Sequence, residues 1–133
     1  MTQADFLAEL KRAGVMRVID VRALPLSRRP GFSKSSLRAA LAEAGIDYVH
    51  LRALGTPPAG REAARKGRTA ELERIYAGQL ALPEAMVAAE QLRELVAGRP
   101  TALLCYEREP AGCHRRLLVR DVLGHAEAVD LFA

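Results

Sequence analysis

Three groups of polar and reactive side chains follow short apolar runs in this sequence. Asp20, Arg22, Ser27, Arg28 and Arg29 come after the first run, which closes on Asp20-Val21-Arg22. Tyr48, His50 and Arg52 sit in and beyond the second. Cys105, Glu107, Arg108, Glu109, Cys113, His114, Arg115 and Arg116 follow the third, Thr101 to Tyr106. These residue types suit chemistry on an anion. Arginine presents a planar fork that matches phosphate or carboxylate. Glu107 or Asp20 could transfer a proton, although each could equally form a salt bridge with Arg22 or Arg115. Cys113 stands at or near the start of an expected helix, where free amides and His114 and Arg115 would bias its thiol toward thiolate. The competing reading of Cys113 is a small buried side chain at a loop–helix junction. Cys105, inside an apolar run, reads as core.

Other chemistries find less support. Cys105, Cys113, His114 and His50 are possible zinc ligands, but the cysteines are too far apart for a common zinc pair. Adjacent Cys113 and His114 cannot easily turn to one ion, so no metal is expected. No P-loop, GxGxxG, GxSxG or HExxH is present, and no cofactor is implied. A rhodanese-type sulfur transfer would need a Cys-x5-Arg loop, which follows neither cysteine. Ser27-Arg28-Arg29 reads either as an anion-binding loop or as solvated surface. His125 has no evident partner and reads as structural.

These groups need elements to hold them. Thr2 can cap a helix carrying Phe6, Leu7 and Leu10, stopped by Gly14. Val15 to Val21 reads as a buried strand, and Leu37, Ala40, Leu41 and Ala44 as one face of a helix ended by Gly45. Tyr48 to Leu51 makes a second strand. Gly55 to Arg68, with two adjacent prolines and three glycines, reads as a long loop. Helices follow from Thr69 to about Ala77 and from Pro83 to about Gly98. Thr101 to Tyr106 is a third strand of the kind buried on both faces. A helix from Cys113 or His114 to Leu123 ends at Gly124, and Ala126 to Phe132 suggests a last strand. Strands separated by helices predict an α/β fold: one domain over residues 1–133, with a parallel or mostly parallel sheet of about four strands flanked by helices. In such a sheet, ligands gather beyond the carboxyl ends of the strands, where all three polar groups fall.

Composition sets the outer bounds. The chain has 133 residues, half of them apolar, and 27% charged against 5% aromatic. That length can bury roughly two-thirds of its unfolded surface without disulfides or a metal. Disordered, collagen-like and cysteine-stapled classes are excluded. No apolar stretch is long enough to cross a bilayer and no signal peptide is evident, so a cytoplasmic protein with reduced cysteines and no membrane partner is expected. The net charge of +4, nearly all from arginine, points either to an anionic ligand or to the base composition of the coding genome.

The spacing of these residues resembles a bacterial family, the domain of unknown function family 488. The resemblance is carried by Asp20-Val21-Arg22, Pro25, Ser27-Arg28, Phe32, Gly45-Ile46-Asp47-Tyr48, His50 and Leu54-Gly55. Its second half lies in Leu103, Leu104, Cys105, Glu107, Pro110, Cys113, His114 and Arg115. It spans about Phe6 to Leu123 and implies a compact α/β domain whose motif residues line one pocket. Two departures stand out. Members commonly open with a strand ending in a Gly-His-Ser type segment, whereas this chain begins at the first helix, which puts any role of that segment in doubt. Where the family often has Leu-Gly-Gly, this chain has Leu54-Gly55-Thr56, and a close backbone approach there would be altered.

Two function classes follow. The first is a small enzyme acting on a nucleotide, a nucleic-acid base or a phosphorylated metabolite. Cys113, Glu107 and Asp20 would be its catalytic residues, and Arg22, Ser27, Arg28, Tyr48, His50, His114 and Arg115 would bind substrate. The second is a non-catalytic module that binds nucleic acid or nucleotide through its arginine-rich face. Few aromatics are interleaved with these arginines, which weakens a single-strand stacking surface.

Overall fold

The computed structural model describes residues 2–25, 30–105 and 114–124. Thr2 caps the first helix, α1 (Gln3–Arg12). Its hydroxyl accepts from the Asp5 amide at 3.1 Å, and the Asp5 carboxylate accepts from the Thr2 amide at 3.3 Å. This reciprocal cap satisfies two donors the helix would otherwise leave open. After Gly14 the chain enters β1 (Arg17–Asp20), then α2 (Lys34–Glu43) and β2 (Asp47–His50). Gly45, at φ +74°, makes the sharp exit from α2 in a conformation that costs other residues a Cβ clash.

A 3-10 turn (Arg52–Leu54) leads to α3 (Pro58–Arg65), α4 (Thr69–Leu80) and α5 (Pro83–Gly98). β3 (Thr101–Leu104) follows, and α6 (His114–Leu118) runs on as a π-helical turn over Val119–Leu123. The expected last strand over 126–132 lies outside the described residues. Helix α3 corrects the expectation of a long loop between Gly55 and Arg68. Pro58 occupies the first turn, where a missing N–H costs nothing, and Gly60 and Ala63 are buried along one face. Two prolines that read as a break are in fact the lead-in to a helix.

Among the described residues the sheet has three parallel strands, in the order β2-β1-β3. Asp20 pairs with His50 on one side and with Leu104 on the other, so the carboxyl ends of all three strands lie level. Alternation divides the core between two faces. Val18, Tyr48, Ala102 and Leu104 pack with Leu10, Leu37 and Leu41 of α1 and α2. Ile19, Val49 and Leu103 pack with α3 to α6, including Leu72, Tyr76, Leu92, Leu117 and Leu118. β3 is half-buried rather than wholly buried.

The chain leaves β1 toward α2 on one face and leaves β3 toward α6 on the other. Their carboxyl ends therefore flank the point where the direction of winding reverses, which is where an open sheet forms its natural crevice. Elsewhere the fold leaves room for improvement. Gly78 is exposed within α4, with no atom near the position of an added Cβ. Gly78→Ala should raise the free energy of unfolding by about 0.5–1 kcal/mol, read as a higher urea midpoint with unchanged slope.

Candidate functional site

Among the described residues, the buried polar or charged side chains are Asp20, Arg22, Thr56 and His114. All four lie at the carboxyl edge of the sheet. Asp20 ends β1 with no exposed surface. Its Oδ1 accepts from the Arg22 amide at 3.1 Å and from Arg22 Nε at 2.8 Å. Its Oδ2 accepts from Arg22 Nη2 at 2.7 Å and from the Tyr48 hydroxyl. Arg22 Nη1 donates to the Phe32 carbonyl at 2.7 Å. The Asp-x-Arg element is thus a closed ion pair. Burial alone would lower the Arg22 pKa, but hydrogen bonds to Asp20 and its charge outweigh burial and raise it. Burial, followed by the bond to Asp20, pushes the Tyr48 phenol up, so it stays a donor at all ordinary pH.

The segment between β1 and α2 is gathered at its stem. Lys34 N donates to the Pro25 carbonyl at 2.9 Å, and Gln3 Nε2 donates to the Gly31 carbonyl at 2.8 Å. Ser27, Arg28 and Arg29, expected in this segment, lie outside the described residues. So do Glu107, Arg108, Glu109 and Cys113 beyond β3. His50 ends β2, half-buried, with Nε2 2.8 Å from the Arg22 carbonyl. A carbonyl oxygen can only accept, so Nε2 carries the proton and Nδ1 is left as the acceptor.

His114, at the start of α6, crosses the reversal point. Its Nε2 lies 3.0 Å from the Val21 carbonyl, and its Nδ1 lies 3.0 Å from Thr56 Oγ1 and 3.3 Å from Cys105 Sγ. Tyr76 of α4 meets the imidazole edge-on, with ring centroids 5.1 Å apart. Cys105 is buried, as expected of a core residue, but it is disulfide-bonded and not a free thiol. Arg115 lies in α6, beside His114.

Thr56 is the residue that sequence reasoning passed over. It is delivered by a turn pinned from below: the Tyr76 hydroxyl donates to the Leu54 carbonyl at 2.6 Å, Gln79 Nε2 to the Ala53 carbonyl at 2.8 Å, and Arg61 Nη1 to the Thr56 carbonyl at 2.8 Å. The close backbone approach is kept at Gly55, where an added Cβ would lie 2.6 Å from Ala23 Cα. Thr56 is the position at which Leu54-Gly55-Thr56 departs from Leu-Gly-Gly. That departure was the signal, and its meaning is a hydroxyl for His114.

Among the described residues, no three His, Cys, Asp or Glu side chains gather as a metal would require. A hollow of about 470 Å³ between α4, α5 and the π-helical turn is lined by Leu80, Met86, Ala89 and Val122, and none of the polar edge contributes to it. No described helix is long and apolar enough to cross a membrane. A family model described as Domain of unknown function DUF488 matches residues 2–122. No curated protein and no solved structure matches the chain.

Proposed function

The chain belongs to the DUF488 family, and on that basis we propose that it is a small enzyme acting on an anionic substrate at the carboxyl edge of its sheet. One observation carries this reading. The buried polar and charged side chains of the described residues all gather at the reversal point of the sheet, although burying such groups is costly. The substrate class is a nucleotide, a nucleic-acid base or a phosphorylated metabolite.

In this reading Arg28 and Arg115, with Ser27, take the anion, and His50 Nδ1 accepts a proton or a hydrogen bond from it. Asp20, Arg22 and Tyr48 form a rigid polar wall rather than a free fork, because their hydrogen-bonding groups already answer one another. Glu107 transfers a proton, and Cys113 supplies a nucleophile when its sulfur is reduced. His114 orients this end of the site from beneath.

The nucleic-acid module is less well supported. Several basic side chains around α3 and α4 already have partners within the chain: Lys66 pairs with Glu62 at 2.9 Å, Arg68 lies 3.6 Å from Glu71, and Arg61 donates to the Thr56 carbonyl at 2.8 Å. The two readings separate in a thermal-shift series with inorganic phosphate, nucleoside mono- and triphosphates, and a short single-stranded DNA. Phosphate or a nucleotide should raise the melting temperature, and Arg28→Ala or Arg115→Ala should abolish the rise. Binding of DNA alone, falling steeply as salt increases, would instead establish the module.

A further inference from the structure

Gly60 lies inside α3, and its φ is not positive, so the backbone there has no need of glycine. In a helix interior glycine is also less stable than alanine. What excludes a side chain is Thr56. A Cβ at position 60 would lie 2.3 Å from Thr56 Cγ2, 3.3 Å from Ile75 Cγ2 and 3.5 Å from Thr56 Cβ. The Thr56 methyl therefore occupies the notch that glycine leaves. Both branches of a threonine spring from one carbon, so a seated methyl decides where the hydroxyl points. Here it points to His114 Nδ1, 3.0 Å away, and both residues are buried, Thr56 at 3% and His114 at 2% exposed. The next residue of α3 adds a second hold, as Arg61 Nη1 donates to the Thr56 carbonyl at 2.8 Å.

We infer that Thr56 is a positioning residue of the site, aimed by Gly60 and acting through His114. The imidazole is held on two sides. Its Nε2–H donates to the Val21 carbonyl at 3.0 Å, which leaves Nδ1 to accept from the Thr56 hydroxyl. Cys105 Sγ, 3.3 Å from Nδ1, is disulfide-bonded and has no proton to donate. A ring bonded at one nitrogen can pivot about that bond, whereas partners at both nitrogens set its plane. Val21 is the first residue beyond β1. Its amide still joins the sheet, donating to the Leu104 carbonyl at 3.0 Å, while its carbonyl goes to the imidazole. Through one ring, Thr56 sets where the chain leaves the sheet at the reversal point. Gly55 presses on the same exit, since a Cβ there would lie 2.6 Å from Ala23 Cα.

Packing alone does not account for this pair of residues. Valine would fill the same notch, and burying a hydroxyl among apolar side chains is unfavourable unless it is bonded. Alanine at position 60 with a smaller residue at position 56 would give α3 a better helix former. Gly60 and Thr56 together forgo that gain and hold a hydroxyl at one angle. The effect on an anion rests on the function proposed above; the placement of the ring does not.

Long-range proton–nitrogen NMR of the whole, isotopically labelled chain reports the two ring nitrogens of His114 and tests the assignment. Thr56→Val keeps the methyl and lacks the hydroxyl, so the Nδ1 resonance should shift toward that of an acceptor with no donor while Nε2 keeps its proton. Gly60→Ala should give the same shift and a lower urea midpoint, opposite to the rise that helix propensity alone would produce. Combining Gly60→Ala with Thr56→Ser removes the offending methyl and keeps the hydroxyl, and should restore both resonance and midpoint. Thr56→Val decides alone if Gly60→Ala does not fold. An unmoved Nδ1 resonance in Thr56→Val, or a double variant no better than Gly60→Ala, would overturn the proposal. Inorganic phosphate, titrated into the same samples, serves as the anion. Its affinity should fall about tenfold in Gly60→Ala, as for the loss of one charged hydrogen bond, and recover in the double variant. Equal phosphate affinity in the wild type and Gly60→Ala would also overturn the positioning role. No phosphate binding by the wild type would count against the anionic substrate and leave the ring resonances to decide Thr56.

Discussion

Asp20→Asn should lower the free energy of unfolding by about 3–5 kcal/mol, the cost of stranding one member of a buried ion pair. Asparagine keeps the shape of the side chain but loses the charge and turns one acceptor into a donor. The Oδ2 position takes both Arg22 Nη2 and the Tyr48 hydroxyl, and Oδ1 takes the Arg22 amide and Nε. Whichever way the amide is placed, two donors are left facing an N–H₂ group. Arg22 is 2% exposed and cannot swing out to water without breaking its bond to the Phe32 carbonyl. A domain of this size holds about 5–15 kcal/mol in all, so the variant should be near the limit of folding. Urea unfolding gives the answer, as a lower midpoint at constant slope. Tyr48→Phe, which removes one of the four bonds to Asp20, should cost about 1 kcal/mol. A loss below about 1 kcal/mol in Asp20→Asn would show that the pair adds nothing to the fold and is held for chemistry alone.

The second large effect is expected at Gly55. In Gly55→Ala the new Cβ would lie 2.6 Å from Ala23 Cα and 2.7 Å from Ala23 Cβ, and closer still to the Ala23 amide nitrogen. Backbone cannot rotate out of the way as a flexible side chain would. The turn carrying Thr56 and the segment leaving β1 must separate, at the upper end of the range of about 1–3 kcal/mol typical of overpacking. Ala23→Gly in the same chain should not rescue the loss, because it removes Cβ and leaves the backbone contacts. Recovery of the wild-type midpoint in the double variant would refute the backbone clash. The separation also draws Thr56 away from His114, so the ring resonances of His114 should shift by NMR even where the protein remains folded.

Much of the scaffold could be read from residue order. Thr2, Gly14, Gly45 and Pro83 punctuate helices through local geometry that does not depend on the rest of the chain, and the helices begin and end beside them. The apolar runs around Val18, Tyr48 and Ala102 were legible as strands, whereas their parallel order depends on contacts far along the chain. Helix α3 was hidden because its eight residues carry few large apolar side chains; its buried face is Gly60 and Ala63, which leave no hydrophobic signature. The site divided in the same way. Asp20, Arg22, Tyr48 and His50 were legible as polar residues at strand ends. Their closure into a saturated web was not, since it depends on distances across two strands. Thr56 and Cys105 take their meaning from His114, which reaches them from 58 and 9 positions away. No spacing rule foretells such a meeting.

The central strand β1 pairs on one side with β2 and on the other with β3, Arg17 lying opposite Thr101 about eighty residues later. During synthesis the nearer partner emerges early, while the second edge of β1 waits for almost the whole of the chain. Through that interval its amides and carbonyls form an open template for any extended peptide. Pairings so distant along the chain are reached slowly, after much loop closure has been paid in entropy. The nascent protein is therefore most vulnerable to misassociation before residue 104 clears the ribosome, and a truncation ahead of β3 should yield an aggregating fragment rather than a smaller fold.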